Sequence, residues 1–289
     1  MTTLLIGASG QLGCELLRAF GDHELVPLTH ADLELTDRTQ VGDTVRKYRP
    51  VLILNTAAYN RVDDCEEYPE RAFAVNAIAV RDLALAAKEI GAVLVHFSTD
   101  YVFDGRQARP YREGDLPGPL SVYAASKLAG EYFVRVILDR YFIIRTCGLY
   151  GLTGSLGKGG NFVETMLRLA REGRKIRVVG DQILTPTNAK ELAKKVRQLV
   201  ETGRYGLYHI TNSGGCSWYQ FASAIFELAG LQARLSETTS AAYGARATRP
   251  AYSVLNNANL HRLGLDDLRP WHEALKEYLG VRRGMKGLP

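Results

Sequence analysis

Short apolar runs alternate with longer stretches of helical period through the first two thirds of the chain. TLLIG, ELVPL, VLILNTAA, VLVHFST and YFIIRT read as strands, being brief, largely apolar and bounded by turn residues. Between them QLGCELLRAFG, TQVGDTVRKYR, PERAFAVNAIAVRDLALAAKEIG and YAASKLAGEYFVRVI place apolar residues three and four apart, the period of one helix face. Strands separated by helices predict βαβ units, and strands apolar on both faces predict an all-parallel sheet covered on each side. The expected class is α/β with a doubly wound sheet.

Beyond residue 150 the texture changes. GLTGSLGKGG is a glycine-rich loop, Asn161 opens a helix reaching Glu172, and KIRVVG is a strand before the turn QILTPT. NAKELAKKVRQLVETG and GLYHITN read as further sheet-flanking elements, so a second lobe interleaves with the first. No internal repeat or low-complexity run is present.

Composition narrows the class. With 289 residues, 46% hydrophobic and 23% charged, the chain has the make-up of a globular protein with one large domain or two modest ones. No stretch approaches the ~20 apolar residues of a membrane helix, and TTLLIGASG carries no charged leader, so a cytoplasmic protein without membrane contact is expected. Cys14, Cys65, Cys147 and Cys216 lie far apart with no C-x-x-C pair, which predicts reduced, mostly buried thiols and no zinc site. The net charge of +5 owes part to Arg282, Arg283 and Lys286. These read either as an anion-attracting patch or as a solvated basic tail, and without a basic stripe interleaved with aromatics no nucleic-acid partner is expected.

Three places carry candidate chemistry. Gly7, Gly10 and Gly13 in GASGQLG sit between the first strand and first helix, where a dinucleotide-binding turn needs them. Gly7 permits the tight turn, Gly10 a close backbone approach, and Gly13 packs helix on strand, while free N–H groups at the helix start, beginning with Gln11 and Leu12, face a pyrophosphate. The fold reads as Rossmann-like, with residues 1–149 an NAD(P)-binding domain, elements near 162–212 returning to it, and 150–289 mainly a smaller substrate-binding lobe. The second strand ends in Leu28, Thr29 and His30, neither acidic nor arginine, so NADH and NADPH stay open. Glu34 and Leu35 either close an adenine pocket or begin a capped helix.

The second place is the set of strand ends. Asn55 to Tyr59 include the small Ala57 and Ala58, which let backbone lie against a cofactor; Ser98, Thr99, Asp100 and Tyr101 put hydroxyls and a carboxylate at the end of an apolar strand. Thr146 to Tyr150 are placed at the entrance. The third is the pair Tyr123 and Lys127, four apart and so on one helix face. A cation beside a phenol favours the phenolate, and proton exchange near neutrality follows. Alone, the spacing also arises by chance on surface helices.

GASGQLG, NTAAYNRVD, FSTDYVFDG, the Tyr123 to Lys127 segment, NFVETMLRLA, GDQILTPT and RPAYSVLN together resemble the extended short-chain dehydrogenase/reductases, and within them the dTDP-4-dehydrorhamnose reductase family, over nearly the whole chain. The resemblance implies a reductase that passes hydride from NADPH or NADH to the C4 ketone of a dTDP-linked 6-deoxy-4-keto sugar in cell-surface polysaccharide biosynthesis. It gives Tyr123 the role of proton donor, Lys127 that of lowering its pKa and holding the nicotinamide ribose, and Thr99 that of bonding the carbonyl oxygen. Asp100 and Tyr101 would sit beside the sugar and Asn161 would bond the nucleotide sugar. Arg249 reads as a diphosphate partner or as a surface salt bridge.

The chain departs from the pattern at Cys147, Gly148 and Leu149, where the family usually has a serine, a tryptophan and a hydrophobic residue. That tryptophan is thought to pack on the sugar ring; Phe162 and Trp218 are candidate replacements, as are Leu156 or Lys158 from the glycine-rich loop. Some relatives form a homodimer around a Mg ion held by glutamates. Glu15 matches one such position, but Lys190 replaces another, which argues against the metal and leaves a homodimer open. Rival readings are other sugar-nucleotide reductases, epimerases or dehydratases, and the regulatory subunit of methionine adenosyltransferase. At position 101 dehydratases carry a glutamate base that Tyr101 cannot replace.

Overall fold

The computed structural model describes residues 2–153 and 160–286. Its main sheet contains β1 (Thr2–Ile6), β2 (Glu24–Leu28), β3 (Leu52–Asn55), β4 (Val93–Thr99), β5 (Tyr141–Thr146) and the strand Gly206–His209. From one edge the order is β2, β1, β3, β4, β5 and Gly206–His209, every neighbouring pair parallel. Order reverses beside β1, which places the crevice for a ligand beyond the carboxyl ends of β1 and its neighbours. Pro27 is tolerated because β2 is an edge strand and one side of it makes no ladder.

Side-chain alternation along the strands feeds two cores. Leu4, Ile6, Ile53, Leu94 and Ile143 enter one with Val41 and Leu83; Leu5, Leu54, Val95, Phe142 and Ile144 enter the other with Leu12, Leu16 and Leu192. Burial on both faces is why these strands read as continuous apolar runs. The helix Ala189–Glu201 packs on α1 (Gln11–Ala19) beneath the second core. A third core, with Tyr150, Val163, Ile176, Phe221 and Tyr278, joins the helices Phe162–Arg171, Trp218–Ala229 and Trp271–Lys286 to a two-stranded parallel pair, Lys175–Val179 with Arg234–Thr238.

Two sequence expectations are corrected. The helical stretch from Pro69 to Ile90 is interrupted by a π turn over Ala74–Ile78. The wider turn presents Asn76, whose amide accepts from Tyr59 N at 2.8 Å and donates to Tyr59 O and Ser126 Oγ, each at 3.0 Å. Helix Val122–Ile137 crosses this turn at Gly130, where any Cβ would lie 2.3 Å from the Asn76 carbonyl oxygen. Arg282 does not belong to a solvated tail. It is buried and pairs with Glu164 through Nε and Nη2 at 2.5 and 2.6 Å.

Candidate active site

The turn after β1 leaves α1 without a side-chain cap, since its N-cap is Gly10. Among the described residues, other helices are capped by Asp37, Ser121, Asn161, Asn188, Ser217 and Thr239. The N–H groups at the start of α1 are therefore available to an anion, and the helix dipole favours one there. Thr56 ties the end of β3 to this turn by donating to Ile6 O at 2.8 Å. Asn55 accepts from Ala57 N, and Asn76 brackets Tyr59, so Ala57, Ala58 and Tyr59 run half-buried beside the glycines. Leu12 and Leu35 are core residues. Glu34 turns back to accept from the Thr36 backbone and hydroxyl at 3.0 and 2.6 Å, the arrangement of a loop before a capped helix.

β4 outruns its neighbour: Asn55, the last residue of β3, pairs with His96, and Phe97, Ser98 and Thr99 project beyond. Thr99 Oγ1 donates to Asp100 Oδ1 at 3.0 Å and accepts from Tyr101 N at 3.2 Å. Helix Val122–Ile137 begins at Ser121, whose side chain accepts from Ala124 N, and this start brings Tyr123 against Thr99. The Tyr101 and Tyr123 rings meet edge to face at 6.2 Å. One turn on, Lys127 is buried and donates to Phe97 O at 2.6 Å. Thr99, Tyr123 and Lys127 thus converge at one strand end.

Their electrostatics differ from the expectation. Burial, reinforced by Asp100, pushes the Tyr123 phenol above its ordinary value, against the pull of the Thr99 side chain. Burial pulls Lys127 down instead, to about 8, against the attraction of Glu131. A phenol so placed stays protonated at neutral pH, which suits a donor to an alkoxide, since an alkoxide is far more basic than any phenolate. The lysine, by contrast, loses its charge as pH rises through about 8. Cofactor affinity, followed by fluorescence titration from neutral to alkaline pH, is expected to weaken across that point; affinity that stays flat would remove the ammonium from cofactor binding.

Beside Tyr101 opens a cleft of about 590 Å³. Phe162 and Trp218 line it with ring centroids 4.6 Å apart, and Arg177, Gln182 and Arg249 supply polar groups. Arg249 forms a two-point ion pair with Asp63, Nη2 to Oδ2 at 2.7 Å and Nη1 to Oδ1 at 3.1 Å, yet still borders the cleft. Burial and the neighbouring Asp100 push the Tyr101 phenol up, so it has no use as the base of a dehydratase.

Other expected residues lie elsewhere. Asn161 caps its helix by accepting from Glu164 N, and its NH2 donates to Gln11 Oε1 and Gly151 O at 3.0 and 2.7 Å. With both donors engaged it links the start of α1 to the third core. Asp100 turns away from the cleft, holding Thr99 through one oxygen and accepting from the buried Cys147 thiol at 2.9 Å through the other. Residues 146–150 do not border the cleft. Gly148, at φ 51°, packs on 184–186, where a Cβ would lie 2.8 Å from Leu184 Cδ1 and 3.1 Å from Pro186 Cα. A side chain there is refused both by backbone conformation and by space. Leu156 and Lys158 lie outside the described residues. Glu15 is paired with Arg18, and Lys190 with Glu277 at 3.2 Å. Cations hold both carboxylates, so this donor set does not fit a Mg ion.

The model of the RmlD substrate binding domain matches residues 1–283. The chain belongs to that family. It is 43% identical to the spore coat polysaccharide biosynthesis protein SpsK of Bacillus subtilis over 98% of each chain. Against a dTDP-4-dehydrorhamnose reductase of Streptomyces griseus it is 40% identical, covering 99% of this chain and 95% of the relative. The solved dTDP-4-dehydrorhamnose reductase of Bacillus anthracis in complex with NADP superposes with a TM-score of 0.92 at 38% identity, over 97% of this chain and 99% of that one. As a member of the RmlD family the chain is an NAD(P)H-dependent oxidoreductase of dTDP-4-dehydrorhamnose reductase type, within the dTDP-sugar 4-keto reductases. Asn76, Ser126, Glu131 and Arg145 escape the sequence reading; an asparagine inside an otherwise apolar helical stretch was the one local signal.

Proposed function

We propose that the protein reduces the C4 ketone of dTDP-4-dehydrorhamnose to give dTDP-rhamnose, with NADPH or NADH as reductant, in the cytoplasm. The observation that carries this reading is the convergence of Thr99, Tyr123 and Lys127 beside an uncapped glycine turn and an aromatic cleft. The wide spacing of Cys14, Cys65, Cys147 and Cys216, with no C-x-x-C pair, fits a reducing compartment.

When bound, the dihydronicotinamide supplies the hydride that goes to the carbonyl carbon. The N–H groups of Gln11, Leu12 and Gly13 would hold the cofactor's pyrophosphate, Ala57 to Tyr59 would leave room for the cofactor, and the Lys127 ammonium would hold its ribose hydroxyls. Tyr123 gives its phenolic proton to the oxygen that becomes the C4 hydroxyl, and a solvent proton restores the phenol. Thr99, whose one hydroxyl proton is held by Asp100, stands beside the same oxygen and bonds it on releasing that carboxylate. Tyr101 and the Phe162–Trp218 pair border the sugar nucleotide, with Arg249 and Arg177 toward its diphosphate.

One second reading is a different dTDP-4-keto-6-deoxyhexose, because the family resemblance expects a tryptophan against the sugar at position 148, whereas Gly148 has no side chain and lies off the cleft. The test offers dTDP-4-keto-6-deoxy sugars of differing C3 and C5 configuration with each cofactor, without any partner protein, and identifies the product. Oxidation of neither cofactor with any of them would end the reductase reading. If the aromatic pair replaces that wall, Phe162→Ala and Trp218→Ala should each raise KM by about tenfold, the order of one lost stacking contact. Unchanged KM in both variants would remove them from substrate binding.

A further inference from the structure

Behind Lys127 lies a buried polar cluster that the reaction as described leaves without a role. Glu131 follows Lys127 by one helical turn and is 1% exposed. Its carboxylate accepts from Arg145 Nε at 2.9 Å and Nη2 at 2.6 Å, and from the Ser98 hydroxyl at 2.5 Å. Ser98 and Arg145 are register partners between β4 and β5, and Ser98 immediately precedes Thr99. Arg145 is also 1% exposed, its guanidinium 5.1 Å from the Phe103 ring centroid, and its Nη1 has no acceptor among the described residues. Stability alone does not explain such a pair, because apolar replacements of a buried ion pair are often neutral or stabilising.

The position of the carboxylate gives another explanation. Lys127 is 2% exposed, and its bond to Phe97 O is to a neutral dipole. An ammonium buried this way reverts to the amine unless a negative charge stands close. His96 on β4 feels the Lys127 charge, while Thr99, Asp100 and Cys65 surround Tyr123 one turn earlier, and both Asp100 oxygens are engaged, by Thr99 and Cys147. Arg145 on β5 adds a positive charge. Glu131 alone combines a negative charge with a place on the Lys127 face of the helix.

We propose that Glu131 is a positioning residue for the reduction: anchored by Arg145 and Ser98, its carboxylate keeps Lys127 an ammonium aligned one turn below Tyr123. The inference rests on the reading of Tyr123 and Lys127 as proton donor and cofactor-binding cation. It ties the strand that presents Thr99, the neighbouring strand and the Tyr123 helix into one charged unit. Burial lowers the Lys127 pKa, and the Glu131 carboxylate is the group that opposes that fall.

The test is the titration of Lys127 in the cofactor-free protein, read from the lysine Cε signals by 13C NMR and assigned by loss of the peak in Lys127→Arg. Glu131→Gln is expected to move this titration to lower pH by about one unit or more, and Glu131→Asp to stay close to the wild type. The alkaline limb of the turnover profile should move in parallel in Glu131→Gln, a change that a merely structural residue would not cause. An unmoved Lys127 titration in Glu131→Gln overturns the proposal. Should that variant fail to fold because Arg145 is left unpaired, the double variant Glu131→Gln/Arg145→Met is compared with Arg145→Met, so that Glu131 is the one charge that differs: a titration below that of Arg145→Met supports the proposal, and an equal one overturns it. Wild-type protein that oxidises neither cofactor with any keto sugar defeats the reductase reading, while the NMR titration still decides what Glu131 does to Lys127.

Discussion

Tyr123→Phe is expected to lower kcat by about a thousandfold while leaving cofactor affinity within about twofold of the wild type. The substitution removes one hydroxyl and keeps the ring, so the edge-to-face contact with Tyr101 and the start of helix Val122–Ile137 survive. What disappears is the proton. Burial and Asp100 keep the phenol protonated through the neutral range, and among the residues facing the same point Thr99 already donates to Asp100. Water is the remaining donor to the developing alkoxide, and a positioned acid is typically worth ~10²–10⁴-fold over it. Single-turnover oxidation of the reduced cofactor separates this loss from any change in product release. A kcat within a few-fold of the wild type would transfer the acid role to another group.

Gly13→Ala is expected to abolish useful cofactor binding, raising Kd by more than about tenfold, and to destabilise the fold by about 1–3 kcal/mol. A Cβ at this position would lie 2.3 Å from Gly7 O and 2.9 Å from the Ala8 C and Cα atoms. All three are backbone atoms, so no rotamer change relieves the overlap and the turn itself must open. Opening it moves the N–H groups that receive the pyrophosphate. Gly10→Ala is the control, because its Cβ meets only Gly7 O, at 3.2 Å, and its φ of −75° suits alanine. That variant should keep its Tm and lose affinity only through crowding at the phosphates. Equal Tm values for Gly13→Ala and the wild type would show that α1 does not depend on the close approach.

The glycine turn and the Tyr123–Lys127 face were legible because each is a local arrangement: a strand, a turn and a helix contiguous in sequence in one case, a single helical turn in the other. Arg249 illustrates the opposite situation. Its two readings, diphosphate partner and salt bridge, could not be separated until Asp63, 186 positions away, was found beside it. Asn161 looked like a substrate ligand by its motif, yet the folded chain places Gln11, 150 positions earlier, against its NH2 group. Gly148 was legible as a missing aromatic, whereas the residues that fill its place, Leu184 to Pro186, come from a separate segment of the chain.

By itself the sequence determined the doubly wound α/β class, the glycine turn between the first strand and helix, and the shared helix face of Tyr123 and Lys127. Those depend on periodicity and on contacts within a few residues, which any reading of the chain exposes. Tertiary structure alone decided the protonation behaviour of the site. Whether a phenol titrates up or down depends on how much water the fold removes and which charges it brings near, and spacing along a helix carries neither quantity. Thus Lys127, expected to draw the Tyr123 pKa down, is itself drawn down by burial, and it is Glu131, fixed across two strands by Ser98 and Arg145, that opposes the change.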